Sequence, residues 1–271
     1  MLPLLHSLPA EPYAGCVAMP GRLACAQLQP YVFGYAGFHA SVDGPLRRRM
    51  LPFSLTTLIV DFAGRGSWVT GARGVHAVHE QAEWRHGVAI GLTPVGVSTL
   101  LGVPAAKLVG ATVEPAALLG ARAVELADRL GSASSWPARF ALLDGLLTAW
   151  LPERGRPPDA AVTRAWWRLH RPGRTVGEVA AGLGVSRRGL EVGFRRHIGM
   201  SPKTVARVAR LQYAVHRLGR PGAGLARAVE CGYADQSHFN REMRALAGVT
   251  PSALFAFLQD LRALPAYRRS S

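Results

Sequence analysis

The sequence predicts an α+β chain of two domains. The first is a β-rich, barrel- or cupin-like N-terminal domain with two following helices, and the second is all-α. Three observations predict this. The 271 residues suffice for two separate cores. Short apolar runs rich in β-branched residues fill the first part, whereas apolar residues at helical spacing fill the rest. The charge divides at the same place: residues 1–159 hold 13 Lys and Arg against 11 Asp and Glu, and residues 160–271 hold 19 against 6. Of the formal net charge of +15, the first segment thus holds +2 and the last 112 residues +13. A merely solvated surface mixes its signs more evenly, so the C-terminal half is expected to bind a polyanion.

Each element follows in chain order. "LTTLIVDFAG" (55–64) and "GVAIGLTPVGV" (87–97) read as strands bounded by Gly and Pro. The turn-rich "RGSWVTGARG" between them suggests a hairpin or meander. Residues 87–106 are free of charge for twenty positions, but Pro94, Pro104 and four glycines make them buried sheet and turns, not a membrane span. "EPAALLGARAVELADRL" (114–130) predicts a helix with Pro115 in its first turn. "WPARFALLDGLLTAWL" (136–151) predicts another, with Trp136, Phe140, Leu143 and Leu147 on one face. These two helices would cover a sheet or pair with a second copy of the chain. "PERGRPPDA" (152–160) reads as a linker, so the expected domains are 1–151 and 161–262.

Composition also narrows the compartment. An apolar content of 49% excludes a disordered chain. Cys16, Cys25 and Cys231 form an odd set with no CxxC pair, and the N-terminus lacks a basic segment before its short apolar run. A reduced, cytoplasmic protein is expected.

The C-terminal half contains an internal repeat. When "GVSRRGLEVGFRRHIGMSP" (184–202) is set above "GYADQSHFNREMRALAGVTP" (232–251), Leu190 falls on Phe239, Phe194 on Met243, Gly199 on Gly248, Ser201 on Thr250 and Pro202 on Pro251, all at an offset of 49. Upstream, Ala180-x-x-x-Gly184 matches Ala228-x-x-x-Gly232. Each unit has the parts of a helix-turn-helix: a small residue for close helix approach, a turn glycine, a capping Ser186 or Asp235, and two apolar anchors four residues apart. The outward positions carry Arg187, Arg188, Glu191 and Arg195 in the first unit. In the second they carry Gln236, Ser237, His238, Asn240, Arg241 and Arg244. Such side chains hydrogen-bond base edges and phosphates. "PKTVARVARLQYAVHRL" (202–218), with Val205, Val208, Leu211, Val215 and Leu218 as its core stripe, would join the units as one rigid helix.

These motifs, with "VARLQYAVHRL" and "CGYADQSHFNREMRALAGVTPSAL", resemble the tandem DNA-binding domain of AraC/XylS-family transcription regulators over about residues 175–257. The resemblance implies two recognition helices entering successive major grooves, ~34 Å apart. It implies base reading by Arg188, Glu191, Val192, Gln236, Ser237, His238, Asn240 and Arg241. Charge assigns Arg187, Arg195, Arg196, Arg207, Arg210 and Arg244 to phosphates. Val192 stands where a polar or basic reader is common, though it can touch a thymine methyl group. Arg227 stands where an aliphatic residue usually precedes Ala228, and Met243 replaces a common Phe. A β-rich sensor or dimerisation domain before the tandem unit fits the same layout. The implied partners are double-stranded DNA, a small-molecule effector, RNA polymerase and a second copy of the chain, with no membrane, no cofactor and no catalytic activity.

Several residues invite other chemistry. Cys231 and His238 lack companions for a metal or catalytic set, and Cys231 fits as a small buried hydrophobe. His76, His79 and Glu80 read as HxxHE, not as the zinc motif HExxH, and fit the flank of a sensor strand. Arg47, Arg48 and Arg49 read as a solvated loop, and Trp68 and Trp84 as sensor core or pocket wall. A DNA-repair alkyltransferase needs a nucleophilic or zinc-binding cysteine that Cys16 and Cys25 do not supply. A metal-dependent cupin-like enzyme is the other alternative.

Overall fold

In the computed structural model the described residues are 6–9, 16–40, 46–63, 66–82, 84–153, 159–171, 173–218 and 229–256. Within them the N-terminal strands form two antiparallel sheets. The larger is ordered β2(Cys16–Arg22)–β3(Val32–Ala40)–β8(His86–Leu92)–β5(Thr56–Asp61)–β6(Trp68–Thr70)–β9(Thr112–Val113). The smaller is β1(Ser7–Pro9)–β4(Leu46–Met50)–β7(Ala77–Ala82). β5 is buried along its whole length, as a central strand covered on both faces should be. Strands therefore occupy 56–61 and 86–92 within or beside the runs predicted at 55–64 and 87–97, and β5 and β6 pair as a hairpin.

Three local expectations are corrected. Residues 94–100 are not sheet or turn but a helix, α1(Pro94–Leu100): Thr93 Oγ accepts the Gly96 N–H and Pro94 occupies the first turn. The helix predicted over 114–130 is broken at Gly120, φ +56°, into α2(Ala116–Leu119) and α3(Ala121–Ser132). Arg47–Arg49 lie within β4, not in a loop, and Arg48 is buried with its guanidinium over the Trp84 ring.

The next helix, α4(Trp136–Ala149), places Phe140, Leu143 and Leu147 in the same core as Leu58, Val88 and Ile90 of the sheet. Of the two uses open to these helices, they therefore cover the sheet. Asp144 of α4 fixes the packing from a polar side: it accepts from Arg22, from the Cys25 N–H at 3.1 Å and from the Tyr35 hydroxyl at 2.8 Å.

The C-terminal domain is helical throughout its described residues. α5(Ala160–Leu169), capped by Asp159, buries Trp166 against α6(Val176–Ala181), α7(Arg187–His197) and α8(Pro202–Leu218). α9(Gln236–Ala247) packs on the far end of α8, and a last helix covers 251–256. Of the expected linker, residues 154–158 lie outside the described residues, and Ala160 is the first residue of α5. Arg227 and Ala228 lie outside the described residues, as does the side chain of Leu218.

The two halves share a packed seam. Phe33 stacks on Trp167 at 5.7 Å, and Phe53, Leu55 and Ala72 join the core around Trp166. Gln212, buried in the middle of α8, donates to the Pro52 carbonyl at 2.8 Å. No helix among the described residues is long and apolar enough to cross a membrane.

Candidate nucleic-acid interface

Both units build their second helix in the same way. Gly184 and Gly232 turn the chain at φ +67° and +85°, a region that costs an L-residue about 1–2 kcal/mol. Ser186 then caps α7 through the Gly189 N–H at 2.9 Å, and Asp235 caps α9 through the His238 N–H at 2.6 Å. Phe194 and Phe239 are fully buried and seat the two helices on their cores. α7 begins at residue 187 and α9 at 236, so the sequence offset of 49 is also the structural offset.

That register aligns the outward faces. Arg188, Glu191, Val192 and Arg195 recur at i, i+3, i+4 and i+7 on α7, and Ser237, Asn240, Arg241 and Arg244 are their counterparts on α9. Arg187, Arg188, Arg195 and Arg196 are exposed, and Val192 is 58% exposed. On α9, Gln236, Ser237, Arg241 and Arg244 are exposed, while His238 and Asn240 are half-buried. An apolar side chain left so open in the intact chain is covered neither by the N-terminal domain nor by the domain's own core. The N-terminal domain instead touches the far ends of both helices. Val109 and Ala106 close on Gly199 after α7, and His76 donates its backbone N–H to the Leu246 carbonyl of α9 at 2.7 Å.

Several side chains are held before any ligand arrives. Arg195 pairs with Glu191 at 3.0 Å, one helical turn away. Arg187 folds back against Gly177 of α6. His238 accepts the Ala234 N–H through Nδ1 at 3.3 Å, which leaves its Nε2 as the protonated nitrogen of the neutral ring. Arg207 and Arg210, assigned by charge to phosphates, both reach Glu242, which is 7% exposed. Arg207 Nε donates at 2.8 Å, and Arg210 Nη2 at 2.9 and 3.1 Å. The Arg210 guanidinium also covers the Tyr233 ring at 4.9 Å. These two arginines thus lock α9 to α8.

Glu242 was missed in the sequence, although it left a signal. It falls on the apolar stripe of α9 between Phe239 and Leu246, where an acid needs a buried partner. Cys231 is 1% exposed within the core of the second unit, and burial raises its thiol pKa, so it is neither open nor activated. His76 serves the interface between the domains, its ring Nδ1 also reaching the Leu246 carbonyl at 3.2 Å.

Residues 179–256 match the helix-turn-helix domain family. The chain carries an AraC-type helix-turn-helix domain. The match spans α7, α8 and α9, so the AraC-type domain contains both outward stripes. A domain of this type makes the chain a DNA-binding transcription regulator. Comparison with curated proteins finds no match. Among solved structures the chain is similar to ToxT from Vibrio cholerae O395, at 11% identity with a TM-score of 0.42 over 92% of this chain and 98% of that one. It is likewise similar to ToxT bound to (E)-4-(8-methylnaphthalen-1-yl)but-3-enoic acid, at 10% identity with a TM-score of 0.42 over 94% and 100% of the two chains.

Proposed function

We propose that the AraC-type domain, residues 161–262, reads a bipartite site in double-stranded DNA, with α7 and α9 in successive major grooves. The observation that supports this most is the pair of register-equivalent outward stripes, exposed on a segment of charge +13. Arg188, Glu191 and Val192 read bases in one groove, Arg188 suiting guanine and Val192 a thymine methyl group. Gln236, Ser237, His238, Asn240 and Arg241 read the other, Gln236 and Asn240 suiting adenine. Arg187, Arg195, Arg196 and Arg244 contact phosphates and supply the salt-dependent part of the affinity. Arg207 and Arg210 do so less, because Glu242 already holds them.

Residues 1–151 act as sensor, dimerisation surface or both, with 152–160 as linker, and RNA polymerase is the downstream partner. The chain works where the bacterial chromosome lies, in the cytoplasm, and needs no catalytic chemistry. The test is to select bound fragments from genomic DNA and titrate the full chain on the enriched site and on random DNA. The reading requires a large preference for the enriched site, with affinity falling steeply as salt rises. Equal binding to both would contradict it.

A further inference from the structure

Val192 is chemically at odds with the row of α7 in which it stands. One exposed apolar side chain is ordinary on a protein surface. This one is 58% exposed among charges: Arg188 precedes it by one helical turn, and Arg195 and Arg196 follow, all three exposed. Its register counterpart on α9 is Arg241, which is exposed too. A phosphate or open solvent would favour a polar side chain at that position. In the major groove, the apolar feature that a base edge offers is a methyl group on pyrimidine C5. Thymine carries that methyl, and so does 5-methylcytosine.

The neighbours of Val192 decide between the two. Glu191 offers acceptors only, so it suits the N4 amino group of cytosine and is repelled by O4 of thymine. Arg195 Nε donates to its Oε1 at 3.0 Å, and Oε2 has no partner among the described residues. That pairing shares the carboxylate's charge, which a helix set among phosphates requires, and leaves one oxygen to accept. Arg188 lies three and four residues before Glu191 and Val192, hence between them on the helix surface, and its fork suits guanine N7 and O6. We propose that α7 reads a 5-methylcytosine–guanine pair: Val192 packs on the C5 methyl, Glu191 accepts the N4–H and Arg188 donates to the guanine. Unmethylated cytosine lacks the methyl group, and thymine presents an oxygen where the amino group should stand. The first unit therefore makes binding depend on cytosine methylation, whereas the second, with Arg241 in the equivalent position, does not. The inference rests on reading α7 as a helix inserted in the major groove.

The test is fluorescence-anisotropy titration of the full chain on synthetic duplexes of the enriched site. Each base pair is presented in turn as cytosine–guanine, 5-methylcytosine–guanine or thymine–adenine. At one pair in one half of the site, 5-methylcytosine should bind about fourfold tighter than cytosine, the worth of one buried methyl group. At that pair it should also bind about tenfold tighter than thymine. Val192→Ala, an exposed position whose loss leaves the core intact, should bring the first ratio to about one. Glu191→Ala should narrow the second ratio and keep the first. Equal affinity for cytosine and 5-methylcytosine at every pair, thymine matching 5-methylcytosine, or a ratio undiminished in its own variant overturns the proposal. The same preparation is titrated on random DNA. No preference for the enriched site would overturn the groove reading and this inference together, whereas a preference without any methyl effect overturns this inference alone.

Discussion

Glu242 decides how much of the second recognition helix is preset. A carboxylate that is 7% exposed needs its two arginines, and they in turn fix α9 on α8 through a shared fork. Glu242→Ala should destabilise the folded chain by about 1–3 kcal/mol, the arginines' partial exposure limiting the loss. It should also free Arg207 and Arg210 toward DNA, so that random-sequence affinity rises while discrimination falls. Denaturant titration and paired binding curves check both effects. Arg188 makes the opposite case: exposed and in no ion pair among the described residues, it is available to a base. Arg188→Ala should weaken binding to the enriched site by about 1–3 kcal/mol and relax preference at one position. An equal loss on random DNA would instead make it a phosphate contact. At this scale the outward residues were legible from local periodicity, whereas Glu242 needed its partners 32 and 35 residues away.

The two helix-turn-helix elements were legible because their signals are local and occur twice. Cap, turn glycine and apolar anchors all fall within a dozen residues, and the repeat multiplies a weak motif into a strong one. A Cβ added at Gly184 would meet open space, and one added at Gly232 would meet only Arg210 Cδ, at 3.6 Å. Substitution by Ala should therefore cost mainly backbone strain, about 1–2 kcal/mol each, and a circular-dichroism melt reads it. A loss near zero would mean that the turn relaxes without the positive φ. Elsewhere local signals competed. The Thr93-Pro94 pair is a cap and first-turn proline, but the apolar run around it read as strand. Gly120, inside an otherwise helical period, breaks the helix because its φ and ψ of +56° and −134° lie outside the helical region.

Across the whole molecule, the charge asymmetry was legible and the seam between the domains was not. That seam depends on contacts such as Ser54 with His170, Gln212 with Pro52 and His76 with Leu246, at separations of 116, 160 and 170 residues. His170 illustrates its chemistry. Nδ1 donates to the Trp166 carbonyl at 2.7 Å, so in the neutral ring Nε2 accepts the Ser54 hydroxyl at 2.7 Å. Burial lowers its pKa from 6.5 to about 4, against the backbone hydrogen bond that raises it. Between those values the unfolded chain binds the extra proton, so the stability present above pH 6.5 should be lost as pH falls toward about 4. Unfolding midpoints across that range should fall on acidification, and His170→Gln should flatten part of the slope. Identical profiles would remove His170 from the account. The central claim, that α7 and α9 read adjacent grooves, is tested most directly by methylation interference on the enriched site, with wild type, Arg188→Ala and Arg241→Ala. The account predicts two protected major-groove patches about 10 base pairs apart on one face, Arg188→Ala altering one and Arg241→Ala the other. A single patch, or both substitutions altering the same one, would contradict it.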